Sequence, residues 1–521
     1  MKINKFKHVK KKIKGIKVKK FIGYTVAIIL TFAASYFIFN NTEDVNNIGY
    51  KSDVFWSSNN KNAHMLLNRA LSRESHISWS TGNHTASPVP CGAIGAEKYT
   101  NQLKGIIDNT DIGKVTRQAV KDGVNVILVI GDGMGFNHMS LPIYMRIAEG
   151  EKEKTYFEKI MDEGSCGIVF NNPLNGIVTG SATSATALAT GYKNVLDIVS
   201  IDTNGYPIET NLELAEKLNY VTGLVTDAGI TDGTPAAFYA HSYNRNLENQ
   251  IAEQLSSKNI EVIFGGGAKL FIPKGTELKD FSYFKNTLST NEASSERNDD
   301  INVLSKFEEK GYEIISNKND LLNLNKKTDK VLGLFNAGGM SAAIDRDFEN
   351  TGEPSLIEMT EKALEILDDK NKNIFLMVEA GRIDWEAHDN DAGAVYKAVE
   401  EMNGMLKVCY DYQKSHKNTL LIFTADHETG GLGISYTKVS KDKLFKKKLE
   451  SGDVWESNTD PLFFDEFKKL KNQKRAFYRI FGEAQTIDEL YKMLQDNTDY
   501  KLTYQDAEII FNTLRGYEKG K

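Results

Sequence analysis

The sequence predicts an α/β protein built around one large, mostly parallel sheet with helices on both faces. Short apolar runs alternate along the chain with stretches of helical periodicity. The runs occupy residues 124–130, 221–225, 374–378 and 420–423, and the helical stretches between them occupy 182–190, 211–218, 355–367 and 392–408. Continuous apolar strands are typical of a parallel sheet that is covered on both faces. Each run leads into polar side chains, and ligands collect at the carboxyl ends of such strands.

The composition suits a large globular body and argues against nucleic-acid binding. The chain has 521 residues, of which 40% are hydrophobic and 10% aromatic, enough for an extensive core around one sheet. Removing the ten lysines of residues 1–20 takes the formal charge from −6 to −16. An acidic body does not favour a polyanion, although bound metal ions can still provide the positive charge of a phosphate site. The sparse, odd set of Cys91, Cys166 and Cys409 predicts no disulfide framework.

The N-terminal segment has the pattern of a membrane anchor. Residues 1–20 contain ten lysines and no acidic residue, and residues 21–39 are uncharged and mostly apolar. A helix over 21–39 is about 28 Å long, close to the thickness of a bilayer core. The lysines predict a cytoplasmic segment at 1–20, a single-pass transmembrane signal anchor at 21–39 and an extracytoplasmic body, with a polar linker at 40–62. The alternative is a cleaved signal peptide, which would release the body as a secreted form.

Two further segments differ from the strand–helix alternation. Residues 440–515 are rich in Lys, Glu and Asp and carry helical patterns at 460–470 and 486–495, which predicts a helical insertion or cap. Residues 278–300 are polar and poor in strand formers, which indicates an excursion at the surface. We therefore expect one domain over residues 63–521, and the cap belongs to it.

Ser181 is the candidate nucleophile. Small, helix-compatible residues follow it in Gly-Ser-Ala-Thr-Ser-Ala-Thr and place its hydroxyl at a helix N-terminus. Free backbone N–H groups and the positive end of the helix dipole favour an oxyanion there. The same pattern is typical of a serine that only caps a helix, which is the commoner role. Serine also needs activation, and because no general-base histidine motif is evident, a metal ion is the natural activator.

Three carboxylates and a histidine lie where the apolar runs end. Asp132 stands among glycines, which permit close backbone approach to an ion and equally suit a plain strand-to-helix turn. Glu379 suits a hard cation such as magnesium. Asp426 and His427 directly follow a run, so they could turn towards one ion or form a helix cap beside a surface histidine.

Two spacings and one arginine complete the candidate set. Asp384 and His388 are four residues apart and share one face if they are helical, a pair that suits zinc or a solvated acidic helix start. Asp232 and Thr234 offer a carboxylate and a hydroxyl two residues apart, or the start of a capped helix. Arg245 is by itself more often a surface residue, although a planar guanidinium suits phosphate recognition.

In combination these blocks resemble the alkaline phosphatase family. The matching segments are IGDGMG, SATSAT, TDGTPAAFYAH, EPSLIEMTEKAL, FLMVEAGRIDWEAH, TADHETGG and NHTASPVP, which together cover about residues 75–435. The resemblance implies hydrolysis of small phosphate monoesters to inorganic phosphate through a phosphoserine. It also implies two zinc ions, one magnesium ion and a homodimer.

Site residues are implied by their positions within these blocks. The resemblance makes Ser181 the phosphorylated nucleophile and Arg245 the residue that holds phosphate. The first zinc site is implied to use Asp384, His388 and His84. The second zinc site is implied to use Asp132, Asp426 and His427, and the magnesium site Asp132, Thr234 and Glu379. Asp232 stands beside the magnesium site, where an aspartate suits that ion.

His84 stands in the wrong half of the chain for this resemblance. Its block, NHTASPVP, resembles one that lies near the C-terminus of family members, whereas every other block keeps its usual order. No histidine follows His427. The sequence therefore predicts a circular permutation that moves residues 63–120 to the front. The usual termini are then joined through residues 113–123, and the new termini lie in the cap.

Three departures from the family pattern bear on the phosphate site. Gly180 replaces the aspartate that commonly precedes the serine and helps to hold the arginine, so we expect Arg245 to be held loosely. Thr183 is bulkier than the usual small residue, and Trp385 stands where members differ. Two alternative functions stay open here. One is a phosphodiesterase or related bimetal phosphohydrolase, and the other is a surface protein that binds phosphate or metal without turnover.

Overall fold

A ten-stranded sheet lies at the centre of the protein, whose computed structural model describes residues 66–67, 71, 75–284, 293–439 and 444–515. All of these residues fall within one unit, Ser57–Lys521. The strands, in chain order, are β1 (Ile77–Trp79), β2 (His84–Thr85), β3 (Val89–Ile94), β4 (Gly105–Asp108), β5 (Asn125–Gly131), β6 (Ser165–Phe170), β7 (Val221–Gly229), β8 (Val262–Gly266), β9 (Glu313–Ile315), β10 (Val331–Leu334), β11 (Ile374–Ala380), β12 (Thr419–Thr424), β13 (Glu428–Thr429), β14 (Leu432–Ile434), β15 (Thr437–Lys438), β16 (Phe445–Lys448), β17 (Val454–Ser457) and β18 (Thr459–Asp460). The large sheet has the order β4-β6-β3-β12-β5-β11-β7-β8-β10-β9.

Most neighbouring strands in this sheet run parallel, as the sequence predicts. β3 is antiparallel to both of its neighbours, β12 and β6, and the other adjacent pairs are parallel. The four predicted apolar runs are β5, β7, β11 and β12, which are neighbours at the centre of the sheet. Every residue of β11 and β12 is buried. Because successive side chains point to opposite faces, both faces of the sheet are covered.

Helices connect the strands and cover the sheet. In chain order they are α1 (Glu97–Thr100), α2 (Asn109–Lys121), α3 (Phe136–Glu149), α4 (Tyr156–Glu163), α5 (Ser181–Thr190), α6 (Asn211–Lys217), α7 (Gly233–Ala236), α8 (Glu248–Ser257), α9 (Val303–Glu309), α10 (Lys318–Asn323), α11 (Ala343–Glu349), α12 (Leu356–Asp368), α13 (Arg382–His388), α14 (Ala392–Ser415), α15 (Phe464–Phe467), α16 (Phe477–Glu483), α17 (Ile487–Asn497) and α18 (Tyr504–Leu514). Short 3₁₀ turns occur at Asn101–Leu103, Ala268–Leu270, Leu278–Asp280, Ser282–Phe284 and Lys468–Asn472. The four predicted helical stretches correspond to α5, α6, α12 and α14.

Residues 77–94 are built into the fold beside strands that come late in the chain. β1 pairs with β14, β2 with β13 and β3 with β12, and in this register His84 faces Thr429. The helix α2 then packs on α5 so closely that a Cβ on Gly113 would lie 2.4 Å from Ala187 O. The early segment therefore lies next to the residues that follow β12, among which are predicted ligands.

The predicted helical cap begins with strands. Two antiparallel ribbons, β15–β18 and β16–β17, precede the helices α15 to α18. The two strands of the second ribbon are joined by a turn at Gly452, whose φ of 94° suits glycine. This hairpin could not be recognised from the apolar pattern of the sequence, because its strands are exposed and rich in lysine. The helical pattern at 486–495 coincides with α17.

The predicted cytoplasmic segment at 1–20, the anchor at 21–39 and the linker at 40–62 lie outside the described residues. Within the described part of the chain, no helix combines the length and the apolarity needed to cross a bilayer. All three cysteines, Cys91, Cys166 and Cys409, are free thiols.

Asp391 joins the long helix α14 to the C-terminal segment. Its buried carboxylate caps α14 by accepting from Ala394 N at 3.0 Å. It also accepts from Gln473 Nε2 and from Phe477 N, both at 2.7 Å. One side chain therefore satisfies donors from two distant parts of the chain.

Asp391→Ala should lower the thermal midpoint by more than the loss of an ordinary helix cap does. The substitution deletes the cap and leaves two buried N–H groups without their acceptor, a cost of about 3 kcal/mol. The matched control is Thr486→Ala, which removes the exposed cap of α17 and should cost about 1 kcal/mol. Scanning calorimetry of both variants measures the difference, and equal midpoints would contradict the bridging role of Asp391.

Candidate active site

The candidate residues meet at the carboxyl ends of the central strands of the sheet. Asp132 follows β5, Asp426 and His427 follow β12, and Glu379 lies near the end of β11. These three strands are parallel neighbours, and Thr234 is reached from the next one, β7. Parallel strands end on the same side, so their terminal side chains converge there. The prediction that the polar clusters lie at the carboxyl ends of strands is confirmed.

Asp384, His388 and His84 form a first cluster. Asp384 and His388 lie one turn apart on α13, with His388 Nε2 3.3 Å from Asp384 Oδ2, as their spacing predicts. His84 joins them from β2, because its Nε2 lies 3.2 Å from His388 Nε2 and 3.8 Å from Asp384 Oδ1. The structure therefore brings together a pair from α13 and a histidine that stands 304 residues earlier than His388.

Backbone carbonyls determine which nitrogen of each imidazole in the first cluster is available. His388 Nδ1 lies 2.8 Å from Gly82 O, and His84 Nδ1 lies 2.9 Å from Thr179 O. A carbonyl can only accept, so each Nδ1 carries the proton and each Nε2 presents a lone pair to the centre of the cluster. Carbonyls orient zinc-binding histidines in the same way. The first cluster thus fits a zinc ion.

Asp132, Asp426 and His427 form a second cluster around Ser181. His427 Nε2 lies 3.3 Å from Asp132 Oδ1, 3.3 Å from Asp426 Oδ2 and 3.2 Å from Ser181 Oγ. Asp132 Oδ1 and Asp426 Oδ2 are buried and have no hydrogen-bond partner among the described residues. Two unpaired carboxylate oxygens beside an imidazole nitrogen are a set of ligands for a divalent cation. The residues present fit the metal that the second cluster is predicted to bind.

His427 stands between the two clusters. Its ring stacks on that of His84, with the centroids 3.6 Å apart and the planes 20° from parallel. Its Nδ1 lies 3.2 Å from Thr429 Oγ1 and 4.0 Å from Asp384 Oδ1. Because the Thr429 hydroxyl donates to Asp384, its oxygen accepts from His427 Nδ1. That leaves Nε2 of His427 without a proton and directed at the second cluster.

Asp132 also reaches a third group, which consists of oxygen atoms. Its Oδ2 accepts from Thr234 Oγ1 at 3.2 Å. Glu379 is buried and accepts from the hydroxyl of Thr226, its neighbour on β7. Carboxylate and hydroxyl oxygens without nitrogen suit magnesium better than zinc. Asp132 thus offers one oxygen to the second cluster and the other to this group.

The site concentrates negative charge in a buried space. Burial, followed by repulsion from Asp426, raises the pKa of Asp132 well above its usual value, and burial does the same for the pKa of Glu379. Burial and Asp384 raise the pKa of Asp426 to about 7. Burial also opposes the ionisation of Asp384, but the positive charge of His388, His84 and His427, when these imidazoles are protonated, outweighs burial and holds the Asp384 pKa well below its usual value. Bound cations would relieve the repulsion and keep the carboxylates ionised.

Ser181 begins α5, as the sequence predicts, and only 5% of it is exposed. The residue before it, Gly180, supplies no side-chain cap, so the N–H groups of the first turn face the site. A Cβ on Gly233 would lie 2.8 Å from Arg245 Cζ and 3.0 Å from Ala182 N. Gly233 therefore lets the guanidinium approach the start of α5, and Ser181 and Arg245 border the same space.

Arg245 is held by Asp232. Its Nη2 forms an ion pair with Asp232 Oδ1, and the same carboxylate caps α7 by accepting from Gly233 N at 2.5 Å. The backbone N of Arg245 donates to Asp197 O at 3.0 Å. This ion pair is an attachment that the expectation of a loosely held arginine did not include, and Asp232 still lies near the oxygen group, because its charge contributes to the raised pKa of Asp132 and of Glu379. A fixed cation attracts the carboxylate that lies nearest to it.

Several supporting residues are absent from the sequence predictions. Ser184 Oγ and Asn171 Nδ2 donate to Asp426 O at 2.7 and 2.8 Å. Asp227 Oδ1 accepts from Gly381 N at 2.6 Å, at the start of α13. An aspartate at the end of an apolar strand was a usable signal for Asp227. Asn171 has no local signal, because its partner lies 255 residues away.

Comparison with known proteins gives consistent matches. A model of the alkaline phosphatase family matches residues 124–501. Alkaline phosphatase 3 of Bacillus subtilis is 33% identical over 425 residues, which cover 78% of this chain and 83% of that protein. The alkaline phosphatase of Schizosaccharomyces pombe is 32% identical over 339 residues, 63% of this chain and 60% of that protein. The crystal structure of Thermus thermophilus alkaline phosphatase has a TM-score of 0.61 and 25% identity, over 76% of this chain and 75% of that one.

The family match contains the four central strands at whose ends the candidate residues lie. It also contains Ser181, Arg245 and both residues of α13 in the first cluster. The chain belongs to the alkaline phosphatase family and is a phosphatase.

Proposed function

We propose that this protein hydrolyses phosphate monoesters through a phosphoserine at Ser181, with divalent cations bound by the neighbouring clusters. The observation that supports this most is the position of Ser181 Oγ, at the start of α5 and 3.2 Å from His427 Nε2. Arg245 borders the same helix start, so a nucleophile and a phosphate-binding cation face one space. Membership of the alkaline phosphatase family supplies the substrate class.

Arg245 and the start of α5 bind the transferred phosphoryl group in this proposal. The planar guanidinium can donate two parallel hydrogen bonds to phosphate oxygens. The N–H groups of the first turn of α5 point at the same oxygens, and the helix dipole favours their negative charge. Both partners are in place before the substrate binds, so they stabilise the charge of the transition state without reorganisation.

Ser181 is the attacking group. Its Oγ gives up its proton to solvent and forms a bond to phosphorus as the ester P–O bond breaks, and the leaving alkoxide takes up a proton from solvent and departs as the alcohol. Water then attacks the phosphoserine, which releases inorganic phosphate and restores the hydroxyl. Ser181 Oγ lies 3.2 Å from His427 Nε2, the nitrogen that would hold the cation of the second cluster, so a cation held there would lie beside the hydroxyl. Metal ions bound here would lower the pKa of the hydroxyl and neutralise charge on the oxygens.

We assign zinc to the first and second clusters and magnesium to the oxygen group. The two clusters offer imidazole nitrogens whose protons are directed away from the centre, which favours zinc. Asp132, Thr234 and Glu379 offer oxygen alone, which favours magnesium. Asp232 pairs with Arg245 through Oδ1 and stands beside this group, where its charge contributes to the raised pKa of Glu379.

We also infer that the chain is circularly permuted relative to its family. The family match begins at residue 124, directly after the predicted joint at 113–123, and leaves out the segment that carries His84. That segment nevertheless pairs with β12, β13 and β14. A circular permutation is expected to leave such a segment outside the family match while the segment still pairs with the strands of the matched region. The bounds of the match and the strand pairing therefore support the inference.

The membrane anchor and the homodimer are proposals that rest on the sequence and the family. The lysines of 1–20 and the apolar run at 21–39 support a single-pass anchor with the enzyme on the extracytoplasmic side. The homodimer rests on the resemblance alone.

Ser181→Ala should reduce turnover of p-nitrophenyl phosphate by orders of magnitude, because it removes the hydroxyl that lies beside His427 Nε2, whereas the hydroxyls of Thr183 and Ser184 are bonded to backbone carbonyls. Circular dichroism and metal content should stay unchanged, since the side chain makes little contribution to packing. Acid quench of the wild-type enzyme with labelled substrate, followed by peptide mapping, should find phosphate on Ser181. Phosphate on Ser184, one turn further along the helix, would move the nucleophile and contradict the proposal.

His84→Ala should lose about one zinc ion per chain and most of the activity, because the first cluster would keep two protein ligands. The matched control is His416→Ala, since this histidine lies at the end of α14, where its Nδ1 is 3.1 Å from Tyr412 O. The control should retain its zinc and its turnover. Mass spectrometry of the purified variants counts the metal. If His84→Ala keeps full zinc and full activity, the role of the early segment in the site is disproved.

p-Nitrophenyl phosphate should be hydrolysed much faster than bis(p-nitrophenyl) phosphate at equal concentration. The monoester offers a dianionic end to Arg245, whereas the diester offers one charge and a second bulky group. Arg245→Lys keeps the charge but loses the planar pair of donors, so KM for the monoester should rise about ten-fold. Faster hydrolysis of the diester would favour a phosphodiesterase.

A further inference from the structure

Thr183 connects the helix of the nucleophile to a neighbouring loop. Its buried hydroxyl donates to Val195 O at 3.1 Å and accepts from Asp197 N at 3.0 Å. Asp197 has a φ of 65°, a left-handed conformation that aspartate tolerates better than most residues. Its carbonyl accepts from Arg245 N at 3.0 Å. Hydrogen bonds therefore run without a break from α5, through the loop, to the backbone of Arg245.

Two further contacts fasten the same loop. Thr186 lies on the same face of α5 as Thr183. Its hydroxyl also bonds to the loop, because it donates to Ile198 O at 3.3 Å and accepts from Ser200 N at 3.0 Å. Val199 and Ser242 exchange both backbone hydrogen bonds, at 2.8 and 2.9 Å. The loop is thus attached to the nucleophile helix on one side and to the segment that carries the arginine on the other.

These hydroxyls do not make the bond that a helical threonine ordinarily makes. A threonine inside a helix commonly donates to the carbonyl four residues earlier. Thr190 does so, with its hydroxyl 2.6 Å from Thr186 O. Thr183 instead directs its hydroxyl out of the helix, where it bonds to the neighbouring loop.

Gly180 offers no side chain that could hold the arginine. A Cβ at this position would meet no atom within 4 Å, and the φ of −116° is open to any residue. The tip of Arg245 is paired with Asp232, and its backbone is held by Asp197. Both attachments of the arginine therefore come from residues other than the one before the nucleophile.

We propose that Thr183 is a positioning residue that sets the distance between Ser181 and Arg245, in place of a carboxylate before the nucleophile. Thr183 acts through Asp197 and contacts neither substrate nor metal. The inference rests on the proposed function, because the placement of Arg245 matters through the phosphate that it binds. It also explains why a bulkier residue stands where the family has a small one.

Thr183→Val keeps the shape of the side chain and removes both hydrogen bonds. Inorganic phosphate should bind the zinc- and magnesium-loaded variant about five-fold more weakly than it binds the wild type, as measured by isothermal titration calorimetry. Thr183→Ser keeps the hydroxyl and should recover most of the affinity. The matched control is Thr190→Val, which removes a buried hydroxyl of the same helix and should leave phosphate binding unchanged. If the valine variant does not fold, Thr183→Ala tests the same point.

A double-mutant cycle separates positioning from a general effect on stability. In an Arg245→Ala background, Thr183→Val should cause no further loss of phosphate affinity, because its effect passes through the arginine. Gly180→Asp should restore phosphate binding to Thr183→Val by giving the guanidinium a second carboxylate. A structural role alone would lower affinity equally in both backgrounds.

Phosphate binding is measured without turnover, so the two proposals can fail separately. A wild-type protein that binds phosphate through Arg245 but does not hydrolyse monoesters would overturn the proposed function alone. Unchanged phosphate affinity in Thr183→Val, or the same loss with and without Arg245, would overturn the positioning role alone. A wild-type protein that binds no phosphate would overturn both.

Discussion

The rest of the site depends on one constraint, the repulsion between buried carboxylates at the carboxyl ends of the central strands. Parallel strands carry Asp132, Glu379 and Asp426 to the same place, where burial raises the pKa of each. Such groups stay ionised only beside positive charge. The fold provides a fixed part of that charge with Arg245 and the start of α5, and the imidazoles are oriented to bind cations that provide the remainder. A place that gathers cations in this way also attracts phosphate.

The orientation of the candidate metal-binding side chains comes from segments that are far apart in sequence. Gly82 O fixes the tautomer of His388, and Thr179 O fixes that of His84. The loop that ends at Gly180 therefore serves two purposes, since it orients a ligand of the first cluster and begins the helix of the nucleophile. The geometry of the first cluster and the geometry at Ser181 are consequently coupled through the backbone.

The sheet and the two clusters could be predicted because their signals are local. Apolar runs indicate the central strands, and the four-residue spacing of Asp384 and His388 indicates a shared helix face. The partner of Asp232 could not be predicted, because a carboxylate near both a metal and an arginine pairs with whichever lies closer in the folded chain. The same holds for Thr183, whose sequence context suggests only a crowded helix, while its partners lie in a loop with no pattern of its own.

The pairing of residues 77–94 with strands beyond β12 has a consequence for the order in which the protein folds. β3 is apolar and buried along its whole length, yet one of its two neighbours is synthesised more than three hundred residues later. Until β12 is synthesised, the backbone N–H and C=O groups on one side of β3 have no partner strand. An exposed apolar strand of this kind can pair with other chains and aggregate. Closing so long a loop adds little to the equilibrium cost but slows folding. The growing chain must therefore remain soluble while β3, the first strand of the large sheet to be synthesised, still lacks one of its two neighbours.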